Sequence, residues 1–136
     1  MAENVGLVVA DYHEELLNKM QKEAEKAAEE NNAEITEVIK VPGAFDTPLA
    51  ARKLASRKDI DCVAVLGAII EGDTDHDKII GHSTAKTLQE ITLETETPVT
   101  LGINGPGMSS EEAFERIENG YSAVESALRL VDEISG

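Results

Sequence analysis

Apolar positions along the chain alternate between short unbroken runs and longer stretches at helical spacing. Residues 5–10 (VGLVVA) form a continuous apolar run of strand length, and residues 14–31 repeat Leu16, Leu17, Met20, Ala24, Ala27 and Ala28 with helical periodicity. Residues 35–41 alternate apolar and polar positions until Pro42 and Gly43 break the strand. Residues 47–55 (TPLAARKLA) then have helix-forming composition, with Pro48 near the first turn. Residues 62–70 (CVAVLGAII) are the most strand-like stretch. Residues 71–74 are polar around Gly72, and residues 75–94 read as a long helix. Residues 98–103 predict a fourth strand and residues 104–108 (NGPGM) a turn. Ser109 or Ser110, followed by Glu112 or Glu111, supplies N-cap chemistry for one last helix reaching Ile134.

Four βα units follow from this pattern. Strands without an exposed face need cover on both sides, and right-handed crossovers deliver helices to both. The predicted fold class is therefore α/β, a three-layer α/β/α sandwich around a four-stranded parallel sheet, with residues 1–136 as one domain. Ligands in such sheets bind beyond the strand C-termini, which nominates residues 11–14, 41–47, 68–77 and 101–110.

Composition narrows the function classes. The 136 residues hold 27 acidic and 12 basic side chains, a formal charge of −15, which opposes a nucleic-acid backbone or an anionic membrane face as partner. The acids are spread between apolar segments, so they describe a solvated surface over an ordinary core, with adaptation to high salt as one cause. Apolar runs fall far short of a bilayer span, and no basic stretch precedes the first of them, so a soluble cytoplasmic protein is expected. The single cysteine, Cys62, sits in an apolar run and reads as a packed core thiol.

Residues 71–77 (EGDTDHD) are the densest cluster. They place His76 and the amides around Gly72 at a strand-to-helix junction, where free N–H groups and the helix dipole favour an anion. The segment either cradles a phosphate or simply caps a helix with His76 exposed in its first turn. Calcium is excluded, because Lys78 and Thr84 replace the glycine and glutamate of a calcium loop. Asp11 and His13 begin like a cobalamin fingerprint, but Leu16 occupies the required glycine position. Tyr12 either offers its ring to a flat heterocycle or packs over the sheet edge. In residues 42–46 (PGAFD), Gly43 permits close backbone approach and Asp46 accepts hydrogen bonds, from hydroxyls of a ligand or as a helix cap. No Walker lysine follows Gly107, His82 is a packed or surface histidine, and no His/Cys/Asp set has zinc spacing. Arg116 either pairs with Glu112 or Glu115 or is held for a ligand.

In order along the chain, Tyr12, residues 41–55 (VPGAFDTPLAARKLA), 66–77 (LGAIIEGDTDHD), 98–108 (PVTLGINGPGM) and Glu115–Arg116 strongly resemble the 6,7-dimethyl-8-ribityllumazine synthase family. The NGPGM variant is similar to the archaeal branch. The resemblance implies a flavodoxin-like fold and a transferase of riboflavin biosynthesis. Its reaction condenses 5-amino-6-(D-ribitylamino)uracil with 3,4-dihydroxy-2-butanone 4-phosphate without a cofactor or metal. It also implies self-association as a pentamer or a pentamer-based icosahedral shell, with sites shared between subunits.

Residue by residue, the resemblance assigns proton transfer to His76 and phosphate binding to Asp73, through its backbone N–H, Thr74 and Arg116. Tyr12 would stack on the pyrimidine; Ala44, Phe45 and Asp46 would bind the ribityl chain; Ala68, Ile69 and Ile70 would read the pyrimidine edge. Leu101 would pack on the ring from a neighbouring subunit. Three departures stand out. Asp46 replaces the glutamate of many relatives, Leu101 replaces an aromatic, and Glu118, Gly120, Tyr121 and Val124 stand where many have lysines. An archaeal-type riboflavin synthase, a phosphoacceptor receiver domain and a purely structural shell protein are the competing readings. GDTDHD disfavours the first and the residues at 69–70 the second.

Overall fold

A computed structural model describes residues 2–73 and 75–135. The elements in chain order are β1 (Asn4–Ala10), α1 (Glu14–Glu30), β2 (Glu34–Val41), a 3₁₀ turn (Ala44–Asp46), α2 (Thr47–Ala55), β3 (Cys62–Ile70), α3 (Asp77–Thr95), β4 (Val99–Met108), α4 (Ser110–Glu115) and α5 (Asn119–Ile134). The four strands pair in parallel in the order β2-β1-β3-β4. Helices cover both faces, which makes the α/β/α sandwich expected from the strand pattern.

The interior strands are the ones with unbroken apolar runs. Every residue of β3 is buried, whereas β2, at an edge, alternates. Within β1, Val5, Leu7 and Val9 join Cys62, Ala64 and Leu66 of β3 under α1 and α5. Val8, with Val63 and Val65, packs under α2 and α3. A period of two thus feeds two separate cores from one continuous run. Cys62 is a free thiol in the first core, and burial pushes its pKa up to about 12. No helix among the described residues is long and apolar enough to cross a membrane.

Two elements differ from the sequence expectation. The fourth strand does not turn at residue 104 but stays in the sheet through Met108. Asn104 pairs with Ala68 and Met108 with Ile70, so two extra residues bulge out of β4 between those rungs. Gly105 at φ +104° supplies the conformation, and a Cβ there would lie 2.1 Å from the Ile69 carbonyl oxygen. The last helix is not continuous either, being interrupted at residues 116–118. Gly120 brings the start of α5 against α1 so closely that a Cβ would lie 2.2 Å from the Met20 carbonyl oxygen. The fully buried Asn104 side chain donates to the carbonyls of Ala113 and Arg116 at 3.0 and 3.3 Å, satisfying helix-end acceptors at the break. The α4 N-terminus does follow its capping signal: Ser109 Oγ accepts from Glu112 N and Glu112 Oε1 accepts from Ser109 N, both at 3.1 Å.

Candidate functional site

In a sheet of order 2-1-3-4 the connections leave β1 and β3 in opposite directions, opening a crevice at their C-terminal ends. A shallow, open apolar cleft of about 130 Å³ lies there, at the place where ligands of such sheets bind. Ala10 and Tyr12 line it from β1, Gly43, Ala44 and Phe45 from the β2–α2 turn, Ala68 and Ile69 from β3, and Asp73 and Ile80 from the β3–α3 segment. Tyr12 and Phe45, two of only four aromatic residues in the chain, stand 70% and 68% exposed on its rim. Such rings are costly to leave in water unless a ligand or a partner covers them.

The β2–α2 turn is shaped by its own carboxylate. Asp46 Oδ2 accepts from Gly43 N at 3.0 Å, and Thr47 Oγ1 donates to the Ala44 carbonyl at 2.8 Å. One Asp46 oxygen therefore braces the turn that presents Ala44 and Phe45. Asp46 itself is exposed and does not line the cleft.

The β3–α3 segment is braced in the same way. Asp73 Oδ2 accepts from Ile70 N at 3.1 Å, and Asp73 N donates to the Ile70 carbonyl at 3.0 Å. The Asp73 amide, expected to face phosphate, is thus engaged inside its own turn. The same Oδ2 lies 2.7 Å from His13 Nε2. Ile70 is buried at the strand end, and Glu71 N donates to the Met108 carbonyl at 2.8 Å. His76 occupies the N-cap of α3, exposed, with its carbonyl accepting from Ile80 N at 3.0 Å and without a side-chain cap bond. Thr74 lies outside the described residues.

Leu101 and Arg116 do not line this cleft. Leu101 is opposite Val65, three rungs before the level of Ala68, on the exposed edge of the sheet, and is 53% exposed. Arg116 caps the end of α4, exposed. Its guanidinium makes no hydrogen bond or ion pair within 4 Å among the described residues, though its charge acts on Glu112, whose carboxylate accepts from Ser109 N. Of the four nominated segments, residues 101–110 contribute nothing to the cleft of their own protomer. Ala10, Ile80 and His13 were not singled out as site residues from sequence. Ile80 had a usable signal, since it falls one turn into the helix that begins beside the EGDTDHD segment.

A cleft at the switch point of a doubly wound sheet, walled by strand ends and rimmed by two aromatic rings, places the chain among α/β proteins of the flavodoxin-like layout. The motifs around that cleft narrow the class further. The family model described as 6,7-dimethyl-8-ribityllumazine synthase matches residues 2–135, and the chain belongs to that family. A relative carrying that name from Halobacterium salinarum is 53% identical over 130 residues, covering 96% of this chain and 98% of its own. One from Halorubrum lacusprofundi is 49% identical over 131 residues, with 96% and 98% covered. One from Methanocaldococcus jannaschii is 42% identical over 131 residues, with 96% and 93% covered.

Proposed function

We infer that the chain is the transferase that makes 6,7-dimethyl-8-ribityllumazine in riboflavin biosynthesis. It condenses 5-amino-6-(D-ribitylamino)uracil with 3,4-dihydroxy-2-butanone 4-phosphate and releases phosphate and water. The observation that carries this reading is the switch-point cleft, formed by Tyr12, Ala44, Phe45, Ala68, Ile69 and Asp73 in a chain of this family.

The uracil lies against Tyr12, with its edge on the backbone of residues 68–70, and the ribityl chain runs along the turn of Ala44, Phe45 and Asp46. The nucleophile is the amine of the uracil, so no lysine or thiol of the protein has to form the imine. That suits a cleft whose walls are mostly apolar. What remains is orientation and proton transfer. His76 at the start of α3 gives a proton to the departing oxygen in imine formation and takes one during phosphate elimination, work suited to an imidazole. Thr74 and Arg116 hold the phosphate, with Arg116 presenting a fork of donors, while Asp73, its amide engaged with Ile70, braces the turn.

Arg116 and Leu101 reach the cleft from a neighbouring protomer. Their absence from the cleft of their own chain, the exposed Leu101 edge and the exposed Leu93, Leu130 and Ile134 support an assembly of pentamers or larger shells. Each protomer acts as one domain in the cytoplasm, where Cys62 remains a buried thiol.

Turnover of the two substrates to the lumazine chromophore tests the reading; assembled wild-type protein that produces none would overturn it. His76→Ala should lower kcat roughly 10²- to 10⁴-fold in intact particles. Refolding His76→Ala together with Arg116→Ala should restore activity at about a quarter of the interfaces if sites are shared between protomers. No recovery on mixing would confine the site to one chain.

A further inference from the structure

We propose that His13 is a positioning residue, holding the β3–α3 loop in its phosphate-binding form by clasping Asp73. This rests on the assignment of that loop to the phosphate. His13 ends the β1–α1 connection; its carbonyl accepts from Leu17 N at 2.9 Å, which ties its backbone to the first turn of α1. Its ring meets Tyr12 edge-on, 5.0 Å between centroids at 89°. Its Nε2 lies 2.7 Å from Asp73 Oδ2, with both side chains three-quarters buried. Tyr12 and Asp73 both line the cleft, so one imidazole links the aromatic that faces the uracil to the turn that precedes His76.

A carboxylate oxygen accepts, as Asp73 Oδ2 does from Ile70 N, so in the tautomer that makes this bond His13 Nε2 carries the hydrogen. The clasp does two things. It adds a tie from α1 to a turn that is also held to Ile70 at its own strand end and, through Glu71 N, to the Met108 carbonyl of β4. It also keeps the Asp73 carboxylate turned onto two donors, in a segment where Glu71, Asp75 and Asp77 add further negative charge. With the clasp gone, the loop spends time in forms that do not receive phosphate, and apparent affinity falls by the fraction lost.

The test uses the assembled enzyme and varies each substrate separately. His13→Ala should raise KM for 3,4-dihydroxy-2-butanone 4-phosphate about five- to tenfold, the worth of a charge-assisted hydrogen bond discounted for partial exposure. KM for the ribitylaminouracil should rise by less, about twofold, since on that side of the cleft only the edge-on contact to Tyr12 is lost. His13→Gln, whose amide nitrogen reaches as far as Nε2, should restore the phosphate KM, whereas His13→Asn, one methylene shorter, should not. An unchanged phosphate KM in His13→Ala, an equal rise in both KM values, or a Gln variant no better than Ala would overturn the proposal. Thermal melting reads the clasp independently of turnover: His13→Ala and Asp73→Ala should be strongly non-additive, and additive effects would also overturn it. Failure of the wild type to make lumazine, with non-additive melting intact, would instead fault the functional reading.

Discussion

Asn104 is the buried polar side chain on which the shape of the Arg116 region depends, and Asn104→Ala measures that dependence. The side chain is fully buried and makes three hydrogen bonds to the helix break. Its Nδ2 donates to the Ala113 carbonyl at 3.0 Å and the Arg116 carbonyl at 3.3 Å, and its Oδ1 accepts from Asn119 Nδ2 at 2.6 Å. At about 1 kcal/mol net for each, the bonds set a ceiling near 3 kcal/mol. Both carbonyls keep a backbone donor, Arg116 N at 3.1 Å for Ala113 and Asn119 N at 3.1 Å for Arg116, so neither is orphaned by the substitution. The half-buried Asn119 amide can turn to water. The expected loss is therefore about 2 kcal/mol. Urea unfolding at one fixed protein concentration reads it, which holds any contribution from self-association constant. Asn119→Ala should cost less, and the double variant should be no worse than Asn104→Ala by more than about 0.5 kcal/mol, since each removes the same bond. A loss below about 0.5 kcal/mol for Asn104→Ala, or additive single effects, would show that the break is set by the chain around Gly120 alone.

Gly105→Ala should cost about 3 kcal/mol or more, because its Cβ would meet the Ile69 carbonyl oxygen at 2.1 Å. Gly107→Ala, also at positive φ but with nothing within 4 Å, should cost only about 1 to 2 kcal/mol; equal melting temperatures for the two would refute the close approach. The backbone N–H and hydroxyl of Ser109 hold the Glu112 carboxyl below its ordinary value of 4.5. A depressed native pKa contributes stability that is present above the ordinary value and lost as pH falls through the native one. Wild type should therefore lose melting temperature relative to Glu112→Gln between about pH 5 and pH 3, and parallel curves would remove that contribution. With −15 charges per chain, the KM for the butanone phosphate should stay flat or fall when moderate salt is added, while a steep rise would show that attraction by Arg116 dominates capture.

How much was legible in the sequence depended on how local each signal was. The limits of β3 and α2 were read correctly: an interior parallel strand must be apolar on both faces, and Pro42, Gly43 and Pro48 punctuate the start of the helix. The end of β4 was misread because Gly-Pro-Gly carries turn chemistry, whereas the pairing of Met108 with Ile70 and with Glu71 N is a long-range contact that no window of residues displays. The break at residues 116–118 was hidden for the same reason. Apolar spacing runs through it, and the causes are a strand side chain at Asn104 and the backbone of Met20. At the site, Tyr12, Ala44, Phe45, Ala68, Ile69 and Asp73 were reached through motifs and do converge on one cleft. His13 lay in a nominated segment, but its pairing with Asp73 could not be read because the two are 60 residues apart.

The proposed sharing of the site between protomers rests on charge as much as on shape. The loop assigned to the phosphate carries Glu71, Asp73, Asp75 and Asp77, so a dianionic ester there needs a cation from elsewhere. Two arginines are already committed: Arg57 binds Glu37 and Asp59 at 2.7 Å, and Arg52 binds Glu94 at 3.4 Å. Arg116 escapes that fate through local structure. The helix stops beneath it, Glu112 on the preceding turn spends its carboxylate on the capping box and meets Arg116 only through charge, and the Arg116 carbonyl is tied to a buried asparagine. A guanidinium so presented, outside the cleft of its own chain, is suited to complete the cleft of the next. Mixed particles of His76→Ala and Arg116→Ala chains therefore probe the electrostatics of the fold as well as its symmetry. Only an interface that pairs the remaining histidine of one protomer with the remaining arginine of another has both the proton carrier and the cation that the acidic loop lacks.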